Sequence, residues 1–229
     1  MSRIGVIVGL ASEAECLEAI AADRRPPVAV AGASAARATS AAAQFLNEEC
    51  AGVVSFGLAG GLDPDIEPGT VVVADAVLAP DGTRHATDDA WRRALVARLD
   101  GRVLYRGGTI AGSPGSIDGA DAKIALNRRT GALAVDMESH GVAEAARHAG
   151  KPFIAVRVVA DPATRSIPPW LLAAIDDDGT IRPGVIAGGL FLQPWKVWEL
   201  IGLARENGRA IAALRRVALH AGPDFGFGA

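Results

Sequence analysis

The chain has 229 residues, half of them hydrophobic but only 5% aromatic, with a formal net charge of −3. That length accommodates one large domain, and a composition rich in Ala, Val and Gly suits a close-packed sheet with small-faced helices against it. The slightly acidic balance excludes a global positive field, so nucleic acid is not an expected partner.

Cys16 and Cys50 have no CxxC or metal-ligand spacing, and they read as two reduced thiols of a cytoplasmic protein with no metal role. The apolar run Ile4 to Leu10 is too short for a secretory signal, and Gly184 to Leu192 falls far below the length of a membrane span.

In chain order, Arg3 to Val8 reads as a strand. Ser12, followed by Glu15, forms a capping-box pattern that predicts a helix through about Ala22. Val28 to Ala31 is a second strand, Ala35 to Glu49 a second helix, and Gly52 to Phe56 a third strand. That strand runs into a glycine-rich turn, Gly57 to Gly61, which lets a backbone approach a ligand but does not match GxGxxG. Thr70 to Leu78 is a strand, Pro80 to Thr87 a polar loop, and Asp88 to Leu99 a helix. Arg102 to Ala111 is strand-rich and leads into the loop Gly112 to Ile117, before a helix over Gly119 to Arg129.

Ala132 to Val135 then reads as a small apolar strand that ends in Asp136-Met137-Glu138. A helix stopped by Gly150 and Pro152 follows, and Phe153 to Val159 forms a strand ending in Ala160-Asp161. From Ser166 the character changes: Pro168-Pro169-Trp170 opens a short apolar segment, Asp176 to Gly179 is a turn, and a helix runs from Pro194 to about Leu219. The alternation predicts a single-domain, three-layer α/β/α fold around a central mixed, mostly parallel sheet. Residues 1–165 form its core and 166–229 a helical C-terminal part.

Glu13, Glu138 and Asp161 each lie just beyond a predicted strand, and the carboxyl edge of a parallel sheet is where ligands bind. The chain offers no GxSxG elbow, HExxH motif or Walker loop, so acid–base chemistry with carboxylates remains. Glycosidic cleavage fits it, because that reaction proceeds through an oxocarbenium-like state that needs a protonated leaving group and a positioned nucleophile. The competing reading of Glu138 is a carboxylate that only stabilises the N-terminus of the following helix. For Asp161 it is a helix cap before Pro162, and for Glu13 a first-turn helix acid.

Five segments in order resemble the motifs of nucleoside phosphorylases and methylthioadenosine/S-adenosylhomocysteine nucleosidases. They are Ile4 to Gly9 with Glu13, Ser55 to Leu62, Pro68 to Asp75, Val135 to Ser139 and Val156 to Asp161. The segments Asp161-Pro162 to Pro168-Pro169, Asp176 to Gly179 and Gln193-Pro194 are most similar to the hopanoid-associated branch, linked to removing adenine from adenosylhopane.

The resemblance implies that Glu138 accepts hydrogen bonds from the ribose hydroxyls, that Met137 packs against the sugar, and that Asp161 delivers a proton to the leaving adenine. It implies Glu13 as the acid that activates water, with Glu15 as an alternative because the preceding loop is one residue shorter. Val135, Gly60, Ala59 and Ile117 are expected to join the substrate site. Asp136 alternates to the other side of the strand and is expected to be structural.

Leu58 and Ser55 stand where the phosphorylases place the serine and arginine of a phosphate cradle, which puts phosphate as co-substrate in doubt; Arg37 is the substitute cation. No metal or organic cofactor is implied, and the family resemblance implies a homodimer or larger homo-oligomer. Three readings follow: cleavage of adenosylhopane, cleavage of small nucleosides such as methylthioadenosine or S-adenosylhomocysteine, and a non-catalytic nucleoside- or lipid-binding protein.

Trp170, Phe191, Trp195 and Trp198, together with Leu171 and near Lys196, are candidates for an apolar substrate channel or for contact with the inner face of the membrane. Core or interface packing is the plainer alternative for these aromatics. If they meet lipid, the wild-type protein co-sediments with liposomes and a Trp195→Ala/Trp198→Ala variant does not; equal, negligible binding by both excludes the membrane role.

Overall fold

The central strands divide their side chains between two cores. Strands β1 (Arg3–Val8), β3 (Cys50–Gly61), β4 (Val71–Leu78) and β8 (Phe153–Asp161) are almost continuously buried, as strands covered on both faces must be. Ile4, Val6, Val54, Phe56, Val71, Val73, Ile154 and Val156 pack into one cluster. Their neighbours Ile7, Val53, Val72, Ala74, Phe153 and Ala155 pack into the other. This period of two is dictated by the pleat. Helices α1 (Ala11–Cys16), α3 (Asp89–Leu99) and the C-terminal helix α6 (Val197–Ala221) supply the first cluster, and α2 (Ala35–Glu48) and α5 (Ser139–Ala149) the second. These are the expected α/β/α layers. The computed structural model describes residues 3–117, 119–165 and 197–228.

With β2 (Val28–Val30), β5 (Arg84–Ala86), β6 (Tyr105–Gly112) and β7 (Ala134–Asp136), the sheet order is β2-β1-β3-β7-β6-β4-β5, and β8 pairs with both β3 and β4. Strands β3, β8, β4, β6 and β7 therefore close a ring, and β1 and β2 extend from it. Five pairings are parallel and three, β3–β7, β4–β5 and β4–β8, are antiparallel. Because β1, β3 and β8 run in parallel, Gly9, Gly60 and Asp161 emerge at one edge, and β7 brings Val135 opposite Gly60.

Four local expectations are corrected. The first helix starts at Ala11, with Leu10 rather than Ser12 at its cap. The reason is that the Glu13 carboxylate reaches back to the backbone N–H of Gly9 and Leu10, satisfying donors that a Ser12 cap would have left behind. It ends at Cys16 in a short 3₁₀ turn, Leu17–Ala19, instead of running to Ala22. Residues 57–61 belong to β3 and are not a turn, and the loop expected over Pro80 to Thr87 contains β5. Of the aromatic channel candidates, Trp170, Phe191 and Trp195 lie outside the described residues; Trp198 falls in α6, and its side chain is likewise outside them.

Residues after α6 return to the core. Phe225 is fully buried, stacks edge-on against Phe56 with ring centroids 5.4 Å apart, and accepts a hydrogen bond at its carbonyl from the Trp91 indole N–H at 2.9 Å. Arg98 and Asp224 pair beside it.

The layer of α2 and α5 depends on small residues at the contact. A Cβ on Gly141 would run into the Ala35 carbonyl and lie 2.7 Å from Thr39 Oγ1, which itself donates to the Gly141 carbonyl at 3.1 Å. Gly141→Ala is expected to separate the two helices and lower stability by about 1–3 kcal/mol, read as a lower urea midpoint with an unchanged slope.

Candidate active site

The strand ends enclose a cavity of about 230 Å³ whose walls include Glu13, Leu58, Ala59, Gly60, Ile117, Lys123, Val135, Met137, Glu138 and Asp161. All eight residues expected at the catalytic and substrate sites are thus brought to one cavity. Glu15, the alternative to Glu13, is exposed and does not line it. Among the described residues, no group of three or more His, Cys, Asp or Glu is placed to hold a metal ion.

Glu13, 2% exposed, is fixed by three backbone donors: Gly9 and Leu10 N–H to Oε2 at 2.7 and 2.9 Å, and Leu58 N–H to Oε1 at 2.6 Å. Burial raises its proton affinity, against the pull of Arg157 and these N–H groups. A Cβ on Gly9 would lie 3.1 Å from Glu138 Oε1 and 3.3 Å from Glu13 Oε2, so the bare glycine backbone lets the two carboxylates approach one another. At Gly57 a Cβ would strike both the Arg157 guanidinium and the Glu13 carboxylate. Gly57, expected to make room for a ligand, instead makes room for the protein's own charges.

Behind the cavity sits Arg157, with no solvent exposure. Its Nε lies 2.5 Å from Asp136 Oδ2 and donates to Ser139 Oγ at 3.2 Å; its Nη2 donates to Ser55 Oγ at 2.8 Å and lies 3.3 Å from Glu138 Oε2. Asp136 also accepts from Ser139 N–H at 3.1 Å. The N-terminus of α5 is therefore capped by Asp136, and Glu138, which occupies the cap position, makes no cap bond with its side chain. Its carboxylate is left to the cavity and to Arg157. Burial pushes Glu138 up to about 8; Arg157 opposes this, and the like charges of Asp136 and Glu13 add to it.

Asp161 is held differently. Its Oδ2 pairs with the Nζ of Lys123, a lysine only 1% exposed on α4 (Ala120–Thr130), whose ammonium also donates to the carbonyls of Pro162 at 3.3 Å and Arg165 at 3.0 Å. The carboxylate lies beside Gly60 at the cavity wall, where a Cβ on Gly60 would sit 3.6 Å from Oδ1 and 3.9 Å from Oδ2. Burial raises the proton affinity of Asp161, and Lys123 counters it.

Sequence reasoning missed the roles of Arg157 and Lys123. An arginine inside an apolar strand, Val156-Arg157-Val158, carried a readable signal, because a buried charge has to be paired. Lys123 carried none, since its surroundings in sequence are those of any exposed helical lysine. Arg37, the expected substitute for phosphate binding, donates its Nε to the Ala31 carbonyl at 2.5 Å.

A sequence profile of the phosphorylase superfamily matches residues 20–180. The chain is 33% identical over 170 residues to a futalosine hydrolase of Streptomyces coelicolor, covering 64% of this chain and 68% of that one. Its fold resembles that of 5′-methylthioadenosine/S-adenosylhomocysteine nucleosidase from Neisseria meningitidis, solved with methylthio-immucillin-A, at a TM-score of 0.72 and 18% identity over 96% of this chain and 98% of that chain. A futalosine hydrolase mutant of Helicobacter pylori matches with a TM-score of 0.62 and 19% identity over 69% and 89% of the two chains.

The Glu138 geometry has a consequence for stability. Unfolded, this side chain releases its proton near 4.5; folded, it keeps it to about 8. Between those values the folded chain binds the extra proton, so the Glu138 contribution to stability is fully present below 4.5 and is lost as pH rises through 8. Urea midpoints of the ligand-free protein between about pH 5 and 8 are expected to fall more steeply for wild type than for Glu138→Gln, which cannot titrate. Parallel curves would show that Glu138 is not the group responsible.

Proposed function

Because the chain belongs to the phosphorylase superfamily, as an enzyme that cleaves the N-glycosidic bonds of nucleosides, we propose that it acts on an adenine nucleoside with a large apolar 5′ substituent, namely adenosylhopane. The observation that carries the catalytic part is the convergence of Glu13, Glu138 and Asp161 from three separate strand ends on one cavity.

In this reading Asp161 delivers a proton to N7 as the C1′–N9 bond breaks and its electron pair leaves with the purine, a contribution of about 10²–10⁴ in rate. Glu138 accepts hydrogen bonds from the ribose hydroxyls. Those donors favour its ionised form, and the negative charge then stabilises the developing oxocarbenium ion more strongly than it does the ground state. Glu13, whose Oε1 takes one backbone donor, removes a proton from the water that attacks C1′.

Water suits this cavity better than phosphate. Two buried carboxylates would repel a dianion, Leu58 contributes an apolar wall, and Arg157 is already engaged by Asp136 and Glu138. The choice of adenosylhopane rests on the resemblance of residues 161–194 to the hopanoid-associated branch. A hopane skeleton would overfill about 230 Å³, so in this reading only the nucleoside occupies the cavity and the tail extends out of it. The likeness to a futalosine hydrolase favours a second reading, a small nucleoside as substrate.

Base release from adenosylhopane, methylthioadenosine and futalosine, each with and without phosphate, separates these readings. Release from adenosylhopane without phosphate is expected; release from a small nucleoside alone overturns the substrate, and a requirement for phosphate overturns hydrolysis. Glu138→Gln and Asp161→Asn should each cut turnover by about 10² or more, while Asp136→Asn harms stability more than turnover.

A further inference from the structure

The proton chemistry assigned to Asp161 requires the aspartate to hold a proton in a buried place and to become a full carboxylate as the base leaves. An isolated buried carboxylate does the first well and the second badly. Among the described residues, the cation in direct contact with Asp161 is Lys123. Lys123 reaches in from α4, a helix outside the strand-end motifs, and its ammonium is buried against Asp161 Oδ2 and two backbone carbonyls. Arg165 also favours the ionised Asp161, but less than Lys123 does, and its own ion pair is with Glu206 at 2.8 Å. Glu13 and Glu138 share Arg157, which makes no contact with Asp161.

We propose that Lys123 is the positioning residue for the general acid: its ammonium pins Oδ2, turns Oδ1 toward the leaving base, and neutralises the carboxylate formed when the Oδ1 proton passes to the purine. The two roles share one geometry. The carbonyls of Pro162 and Arg165 fix the ammonium in the strand-end loop, so Asp161 is oriented by a group that does not itself touch substrate. In the proton transfer the Asp161 O–H bond breaks and a purine N7–H bond forms; Lys123 keeps its three protons throughout. A lysine that merely filled space between α4 and the strand-end loop would need no charge, and its burial beside a carboxylate would be a cost without a return.

This inference rests on the acid role proposed for Asp161, and the two can fail separately. Lys123 favours the ionised form of Asp161, so removing it should move the Asp161 titration upward by about one pH unit or more. Activity that depends on protonated Asp161 falls as pH rises through that titration, so the falling limb of kcat should move to higher pH by the same amount. At the wild-type optimum, Lys123→Met should lose about 10–100-fold in kcat with little change in KM, and Lys123→Arg should recover part of it.

The measurements are kcat and KM against pH, using whichever of adenosylhopane, methylthioadenosine and futalosine the wild type cleaves, and the carbon-detected NMR titration of Asp161 in the ligand-free protein. Lys123→Gln, which keeps donors but no charge, provides a second variant should Lys123→Met fold poorly. An Asp161 titration and kcat limb unmoved in the folded variants, or a Gln variant matching wild type, would overturn the proposal. Full activity in Asp161→Asn would instead overturn the acid role, and the NMR titration would still report the Lys123–Asp161 coupling.

Discussion

The wall of the cavity that carries Glu13 and Glu138 depends on a single guanidinium that has no access to water. Arg157 is buried completely, and such a charge is tolerable only when its surroundings return what solvation would have given. Asp136, Glu138 and the Ser139 hydroxyl, all from the junction of β7 and α5, do so together with the Ser55 hydroxyl from β3. The cluster is therefore a lock between β3, β7, β8 and the start of α5. It also holds more negative charge than positive. Three carboxylates, Glu13, Asp136 and Glu138, feel one arginine, and the excess leaves Glu138 ready to take up a proton or to receive the hydroxyl donors of a ligand. In the proposed reading, a positively charged transition state would draw on that imbalance.

The backbone prepares the lock. Strands β1, β3 and β8 run in parallel, so their carboxyl ends are brought together whatever the spacing in sequence. The alternation that sends Val156 and Val158 to one core sends Arg157 to the other side, where Ser55 and Ser139 meet it. Missing side chains at Gly9 and Gly57 provide the room. Two charge systems then face one cavity from different walls: the Arg157 cluster behind Glu13 and Glu138, and the Lys123 pair behind Asp161.

Much of this was legible in the sequence. Strand and helix alternation located nearly every element of the described core because apolar runs bounded by turn residues leave few alternatives, and the carboxylates at strand ends marked the edge. Capping was harder to read. Ser12 matched a local capping pattern, but Glu13 made the cap through its own carboxylate, and that depended on the tertiary burial of the same side chain. The glycines of residues 57–61 suggested a turn, whereas pairing with β8 on one side and β7 on the other held them extended. Lys123 was beyond reach because nothing local distinguishes a lysine that faces a buried aspartate from one that faces water.

The docking of residues 222–228 bears on how the chain becomes a protein. Phe225 seals the core beneath β3 through Phe56 and is tied to Trp91 across 134 residues of sequence. At ordinary rates of synthesis, Trp91 waits on the order of ten seconds for that partner to be made. During that interval the underside of β3 lacks its cover, so the strand that later walls the cavity passes through biosynthesis with an apolar face exposed. This late core contact and the completion of the cavity edge are thus joined in time as well as in space.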